Sequence, residues 1–182
     1  MKYAQSVEQI GFLILIMTIK NGRDALTQLQ AEVDVVIIGG GQAALATAYF
    51  LKRKKIPFVI LDDQSQAGGA WSHAWESLRL FSPNTWSSLS GWMMPTTEQT
   101  YPTRNEVIEY LSVYEQRYQF PIIRPVHVDH IEQNDGYLDV YAGEKYWRAK
   151  AVVSATGTWS QPYIPPYKGY ENFKGIQTHS AH

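Results

Sequence analysis

The strongest fold signal in this chain lies in residues 33–62, which read VDVVIIGGGQAALATAYFLKRKKIPFVILD. The segment begins with an almost continuous run of apolar, β-branched residues, typical of a strand buried on both faces of a parallel sheet. Three glycines end that run, an alanine-rich segment typical of a helix follows, and Pro57 breaks the helix before a second apolar strand. This order predicts a βαβ unit, and therefore an α/β fold with a parallel sheet.

The glycine turn of this unit has the Gly39-x-Gly41-x-x-Ala44 spacing of a dinucleotide-binding site. Gly39 permits the tight turn, Gly41 lets the backbone approach a pyrophosphate, and the small Ala44 lets the helix pack on the strand. The N–H groups at the start of the helix, at Gln42 and Ala43, would face the phosphates. These five residues are therefore predicted to bind a cofactor.

A carboxylate ends the second strand of the unit. Asp62 stands 21 positions after Gly41, where a carboxylate accepts hydrogen bonds from ribose hydroxyls. Asp63 follows it and is included in the predicted site, and no arginine stands nearby in the sequence. Two acids without an arginine disfavour a 2′-phosphate, so the pattern favours FAD or NAD over NADP. The alternative is a glycine-rich turn that binds nothing.

The segments after residue 63 distinguish FAD from NAD. A loop rich in Gly, Ser and Pro contains GGAW (68–71), and residues 103–120 predict a helix with Thr103 as its N-cap. Strands are then predicted at VHVDHIEQ (126–133), YLDVYA (137–142), KYWRAK (145–150) and AVVSATG (151–157), the last of them buried. A simple NAD dehydrogenase would enter another βα unit here, so this return to the first cofactor site favours FAD.

Composition excludes several functional classes. The 182 residues carry a formal net charge of −1, which does not point to nucleic acid or to an anionic membrane surface. There are no cysteines, which excludes disulfides, thiolate catalysis and cysteine-ligated zinc from this sequence. His127 and His130 lie near predicted strands without a paired ligand spacing, so no metal site is predicted.

The N-terminal segment is interpreted separately. Residues 1–32 are expected to form an extension, partly disordered or helical, and residues 33–182 the FAD-binding domain. The apolar run IGFLILIMTI (10–19) is shorter than the roughly 20 residues that span a bilayer. It is also a poor secretory signal, because no A-x-A site follows it, and Met17 offers an alternative start. These features favour a cytoplasmic protein with no membrane partner.

Taken together, the chain resembles the N-terminal part of a flavin-dependent monooxygenase with two dinucleotide-binding domains, similar to the CzcO-like oxidoreductases. The matching segments are GGGQAALATAYFLKRKKIPFVILD (39–62), GGAW (68–71), LRLFSPNTWSSLSGWMMP (78–95), YPTRNEVIEYL (101–111) and ATGTW (155–159). The closing FKGIQTHSAH fits the family pattern F-x-G-x-x-x-H at Phe173, Gly175 and His179. The sequence ends one residue before the aromatic residue of that pattern.

The resemblance implies a three-layer Rossmann-like FAD-binding domain with an added antiparallel β-meander. It also implies a role for each matching residue. Gly39, Gly41 and Ala44 would cradle the FAD pyrophosphate, and Asp62 would hold the adenosine ribose. The remaining assignments are Gly69 and Trp71 along the cofactor, the backbone of Val128 near adenine, Thr156 and Gly157 closing over the cofactor, and Asn84 approaching the flavin ring.

The resemblance further implies an activity. In this family NADPH reduces FAD, and the reduced flavin activates O₂ to oxygenate a small-molecule substrate. These 182 residues contain no second glycine-rich unit for NADPH, so they are expected to bind FAD as a front half without oxidising NADPH at an enzymatic rate. A missing sheet partner would also favour self-association. The alternatives are a non-catalytic remnant without cofactor and a single-domain NAD-binding enzyme.

Overall fold

The computed structural model describes residues 27–96 and 100–179. These residues form six strands and two α-helices, and the predicted βαβ unit is confirmed as the first three elements. In chain order the elements are β1 (Gln28–Ile38), α1 (Gln42–Arg53), β2 (Phe58–Leu61), α2 (Arg104–Tyr118), β3 (Ile122–Ile123), β4 (His130–Asn134), β5 (Tyr137–Ala142) and β6 (Lys145–Ser154). Short 3₁₀ helices lie at Gly69–His73, Asn84–Trp86 and Tyr170–Asn172.

The six strands form one mixed sheet in the order β3-β2-β1-β6-β5-β4. β1 pairs in parallel with both β2 and β6, and β2 pairs in parallel with β3. β4, β5 and β6 pair antiparallel in sequence order, which confirms the predicted β-meander. The carboxyl ends of β1, β2 and β6 therefore meet at one edge of the sheet, where open α/β sheets bind their ligands.

Side chains of β1 alternate between two apolar clusters, one on each face of the sheet. Val35 and Ile37 pack with buried residues of α1 and α2, whereas Val36 packs with Trp147 and Val140 of the meander. β2 is buried over its whole length and alternates in the same way. The helices thus cover one face of the sheet, and apolar side chains of β1, β2 and the meander strands form the cluster on the other face.

Helix α2 holds the long loop that precedes it. Thr103 caps the helix in a capping box with Glu106, as the sequence predicted. The hydroxyl of Tyr110 donates to the Trp92 carbonyl at 2.8 Å, and that of Tyr114 donates to the Ser90 carbonyl at 2.6 Å. Burial raises the pKa of both tyrosine hydroxyls, so they stay protonated as donors. These two bonds fix the end of the loop onto the helical layer.

The strand boundaries differ from those predicted in three places. β1 starts at Gln28, five residues before the predicted start, because its first half pairs with Lys145 onward in β6. The two strands predicted at 145–150 and 151–157 are one continuous strand, and its last five residues are half-buried or exposed rather than buried. β4 begins at His130, so Val128 lies in an irregular segment and not in the predicted strand.

Helices in the described residues are too short or too polar to cross a membrane. The apolar run at 10–19 lies outside the described residues.

Candidate cofactor site

The glycine turn lies where the carboxyl ends of three strands meet. The Gly39 N–H donates to the Leu61 carbonyl at 2.7 Å, and the Ala155 N–H donates to the Ile38 carbonyl at 2.8 Å. Gly39 has φ +103°, and a Cβ atom placed on it would lie 2.5 Å from the Ala155 carbonyl oxygen. Only glycine fits this position, because a side chain would meet both backbone strain and the neighbouring strand.

Gly41 is the N-cap of α1, and the space beside it is open. Among the described residues, a Cβ atom on Gly41 would meet only the Gly69 Cα, at 4.0 Å. No side chain caps this helix end, so the first-turn N–H groups at Gln42 and Ala43 have no intrahelical partner. Ala44 is fully buried against the sheet. The turn therefore presents backbone donors to open space, and cofactor binding by these residues stays a prediction.

The second glycine segment packs directly on this turn. A Cβ atom on Gly69 would lie 2.8 Å from the Gly41 Cα, and Gly69 has φ +54°. Arg104, the first residue of α2, donates through Nε to the Trp71 carbonyl at 2.9 Å and through Nη2 to the Ser72 carbonyl at 2.5 Å. The Ser72 hydroxyl donates to the Gly69 carbonyl at 2.6 Å. Helix α2 thus fixes the 3₁₀ helix that borders the glycine turn.

Asp62 is buried at the end of β2 and lies in an ion-pair network. Arg124 Nη2 lies 2.8 Å from Asp62 Oδ2, and the same guanidinium makes two bonds of 2.8 and 2.9 Å to Glu115. Burial raises the pKa of Asp62, and the charge of Arg124 opposes that rise. Asp63 is exposed, and its carboxylate accepts a 2.6 Å hydrogen bond from the Gln64 side chain.

No arginine lies near Asp62 in the sequence, but Arg124 contacts Asp62 in the folded chain. Arg124 reaches Asp62 from 62 positions downstream, in the segment that follows β3. Sequence proximity carried no signal for this contact, because the tertiary fold creates it. Arg124 is shared between two carboxylates, so the trio keeps an excess negative charge, and the preference against a 2′-phosphate stays a prediction.

Gly40 is a second residue that the sequence reading missed. A Cβ atom on Gly40 would overlap the Asp62 carboxylate and lie 2.8 Å from Arg124 Nη2. The middle glycine of the turn therefore makes room for the ion pair, while its two neighbours shape the turn itself. A third consecutive glycine was the available signal, because the dinucleotide-binding spacing requires only the outer two.

The segment after β6 lies beside the GGAW loop. Thr156 and Gly157 are exposed, and Gly157 has φ +65° with open space around its Cα. Two residues further on, the ring of Trp159 stacks on that of His73 at a centroid distance of 6.3 Å. The structure thus brings together the glycine turn, the GGAW loop and the ATGTW segment, and the contact of each with a cofactor stays a prediction.

The positions of Asn84 and Val128 give less support to their predicted contacts with the cofactor. Asn84 is buried, its Nδ2 donates to the Pro95 carbonyl at 3.1 Å, and its Oδ1 accepts from the Thr85 N–H at 2.9 Å. Both ends of that side chain are bound within its own loop, so an approach to a flavin ring stays a prediction. Val128 is half-buried against the apolar cluster of the meander face. Its proximity to adenine likewise stays a prediction.

Comparison with known proteins places the chain in a family. Residues 36–182 match the profile of the pyridine nucleotide-disulphide oxidoreductases. A CzcO-like oxidoreductase of Geobacillus kaustophilus is 35% identical over 153 residues, which cover 84% of this chain and 44% of the relative. An indole-3-pyruvate monooxygenase of Arabidopsis thaliana is 30% identical over 159 residues, which cover 81% of this chain and 37% of the relative.

A solved structure gives the same result. The flavin-containing monooxygenase of Stenotrophomonas maltophilia superimposes with a TM-score of 0.78 at 51% identity, covering 84% of this chain and 47% of that one. The chain therefore spans less than half the length of these relatives. The predicted resemblance to CzcO-like and flavin-dependent monooxygenases is confirmed. The chain belongs to the pyridine nucleotide-disulphide oxidoreductase family.

Proposed function

We propose that this chain binds FAD and is the flavin-binding part of an NAD(P)H-dependent oxidoreductase of the monooxygenase type. The observation that carries the proposal is the open turn at Gly41. A β-carbon there would enter unfilled space between the start of α1 and Gly69, whereas a β-carbon on Gly39 or Gly40 would collide with protein atoms. Space beside one glycine of the three fits a ligand that comes into contact with the backbone.

A pyrophosphate fits this space by charge as well as by size. The uncapped N-terminus of α1 offers backbone N–H donors and the positive end of the helix dipole. Gly69 lies opposite Gly41 and adds a second stretch of backbone without a side chain. The chain would therefore bind the diphosphate mainly through main-chain groups, with no lysine or arginine required.

Asp62 is the proposed partner of the adenosine ribose. Its side chain is 2% exposed, and its Oδ1 lies 3.5 Å from the Gln64 N–H. That distance exceeds an ordinary N–H···O bond, so a ribose hydroxyl would gain more at Oδ1 than the amide does.

FAD is favoured over NAD by the loop that follows Asp62. The GGAW loop packs on the glycine turn and stacks through His73 on Trp159, so the site is bordered by two further segments. The 51% identity to a flavin-containing monooxygenase over the same residues supports the same choice. Within this proposal Trp71, Thr156 and Gly157 border the cofactor, the Val128 backbone lies near adenine, and Asn84 lies toward the flavin ring.

When bound, FAD supplies the two-electron chemistry that couples a reduced nicotinamide to O₂. The residues of this chain bind and orient the cofactor, and no proton transfer is assigned to them. Because the chain spans less than half of its relatives, NADPH oxidation and oxygenation of a small-molecule substrate are proposed for the whole protein.

The test is a direct measurement of bound flavin. The purified chain is loaded with FAD, desalted and denatured, and the released flavin is quantified against protein, with NADH titrated in parallel. We expect near-stoichiometric FAD in the unaltered chain and none in Gly41→Val. A chain that stays free of flavin after loading would contradict the proposal. Binding of NADH in place of FAD would favour a nicotinamide enzyme instead.

A further inference from the structure

We propose that Arg124 is a positioning residue for the adenosine end of the site. Clamped by Glu115, it holds one oxygen of Asp62 and leaves the other to accept a hydrogen bond from an unphosphorylated ribose. This inference rests on the proposed function and adds a specificity determinant to it.

The guanidinium of Arg124 is bound along two of its edges. Nε donates to Asp62 Oδ2 at 2.9 Å, and Nη2 lies 2.8 Å from the same oxygen in an ion pair. Nη1 and Nη2 donate to the two carboxylate oxygens of Glu115 at 2.8 and 2.9 Å. Such fork geometry fixes the plane of the guanidinium, and with it the orientation of the Asp62 carboxylate.

The contacts of Asp62 are one-sided. The hydrogen bond from Arg124 Nε and the ion-pair contact of Nη2 both reach Oδ2, while Oδ1 accepts, among the described residues, from the Gln64 N–H at 3.5 Å. An ionised carboxylate oxygen accepts two hydrogen bonds, so Oδ1 keeps unused capacity in a buried place. A buried acceptor with unused capacity is costly for folding alone and useful for a ligand that donates a hydroxyl.

Three parts of the chain build this arrangement. Asp62 follows β2, Glu115 lies on the last turns of α2, and Arg124 follows β3. The side chains are 2%, 10% and 17% exposed, respectively, so their mutual orientation is held by packing. One cation against two carboxylates leaves a net negative charge, which favours a ribose hydroxyl and repels a 2′-phosphate.

The experiment measures FAD and ADP affinity by calorimetric titration in the unaltered chain, Arg124→Met and Arg124→Lys. ADP is the probe because it carries the adenosine and the diphosphate without the flavin. The matched control is Arg148→Met, which breaks a similar arginine–aspartate pair in the meander. We expect Arg124→Met to weaken FAD and ADP by the same factor, about tenfold. The control should stay within about twofold.

A double-mutant cycle separates positioning from a general structural role. If Arg124 acts through Asp62, then Arg124→Met should cost little further affinity in an Asp62→Asn background. Full additivity in that background would overturn the inference, as would unchanged ADP affinity in Arg124→Met. Should circular dichroism show that Arg124→Met is unfolded, Arg124→Lys carries the test. Lysine keeps the charge but loses the fork, so its ADP affinity is expected to fall, and unchanged affinity would overturn the inference.

The two proposals fail in distinguishable ways. An unaltered chain that binds neither FAD nor ADP would overturn the proposed function, and the inference with it. An unaltered chain that binds both ligands, with variants that bind them equally well, would overturn the role of Arg124 alone.

Discussion

Two buried aspartates lie in or just after strands near opposite edges of the sheet, and their arginine partners bind them differently. Asp62 follows β2 and Asp139 lies in β5, and each strand is second from an edge of the sheet. Both aspartates are 1% exposed. Arg148 binds both oxygens of Asp139 at 2.7 Å, whereas Arg124 binds only one oxygen of Asp62.

The pKa values of the two carboxylates are shifted in opposite directions. Hydrogen bonds from Arg148 and Asn134 outweigh burial and lower the pKa of Asp139. At Asp62 burial outweighs the charge of Arg124, and the pKa is raised. A fully satisfied carboxylate stabilises the fold, while an incompletely satisfied one is typical of a site that awaits a ligand. The comparison therefore supports a structural role for the Arg148–Asp139 pair and the binding role proposed for the Arg124–Asp62 pair, without reference to sequence motifs.

The largest effect is expected from breaking the structural pair. Arg148→Met would leave Asp139 buried without its cation and lower the free energy of unfolding by about 3 kcal/mol. Urea denaturation followed by circular dichroism measures this value. Binding of FAD should be retained, because the pair lies in the meander and away from the glycine turn. A large loss of FAD affinity in the folded variant would mean that the two regions are coupled.

The next prediction compares a glycine of the cofactor site, Gly41, with a glycine of the meander, Gly143. Gly41→Val should reduce FAD affinity by about a hundredfold or more, since the side chain fills the space proposed for the pyrophosphate. Stability should change little, because the position has φ −84° and open space.

The matched variant is Gly143→Ala in the β5–β6 turn, where φ is +58°. It should cost about 1 kcal/mol of stability and leave FAD binding intact. If Gly41→Val and Gly143→Ala lost the same FAD affinity, or the same stability, the glycine turn and the β5–β6 turn would not differ in role.

A smaller effect is expected at Gly40. A methyl group there overlaps the Asp62 carboxylate, so Gly40→Ala should displace the ion pair and weaken FAD by about tenfold. The same titration against ADP should show the same loss, because the change acts at the adenosine end. Gly136→Ala serves as a control that adds backbone strain without a steric clash, since φ is +82° there and no atom lies within 4 Å of a β-carbon. An unaltered affinity in Gly40→Ala would show that Asp62 does not contribute to binding.

Local sequence signals predicted most of the fold but not the ion-pair network. The βαβ unit and the α2 capping box depend on neighbouring residues, and the sequence alone predicts them. The Arg124–Asp62 contact depends on how β3 is placed beside β2, and no local pattern carries that information. The sequence predicted β6 as two strands, because a long strand with two different partners has no uniform burial pattern. For the site, the turn was predictable and the residues that orient Asp62 were not.

The smallest effect is the pH dependence of stability, and its sign differs between the two aspartates. Asp62 has a raised folded-state pKa, so above the ordinary value of 3.8 the folded state binds more protons than the unfolded state, and stability falls as pH rises through the folded pKa. Asp139 has a lowered pKa, so its stabilisation is present above 3.8 and is lost as pH falls through the folded value.

Asp62→Asn should therefore gain stability relative to the unaltered chain as pH rises above about 4. Asp139→Asn should lose relative stability as pH rises through the lowered folded-state pKa of Asp139 toward 3.8, each slope staying below about 1.4 kcal/mol per pH unit. Urea titrations of the three proteins across this range measure both slopes, and slopes of the same sign would contradict the assignment of one pair to folding and the other to binding.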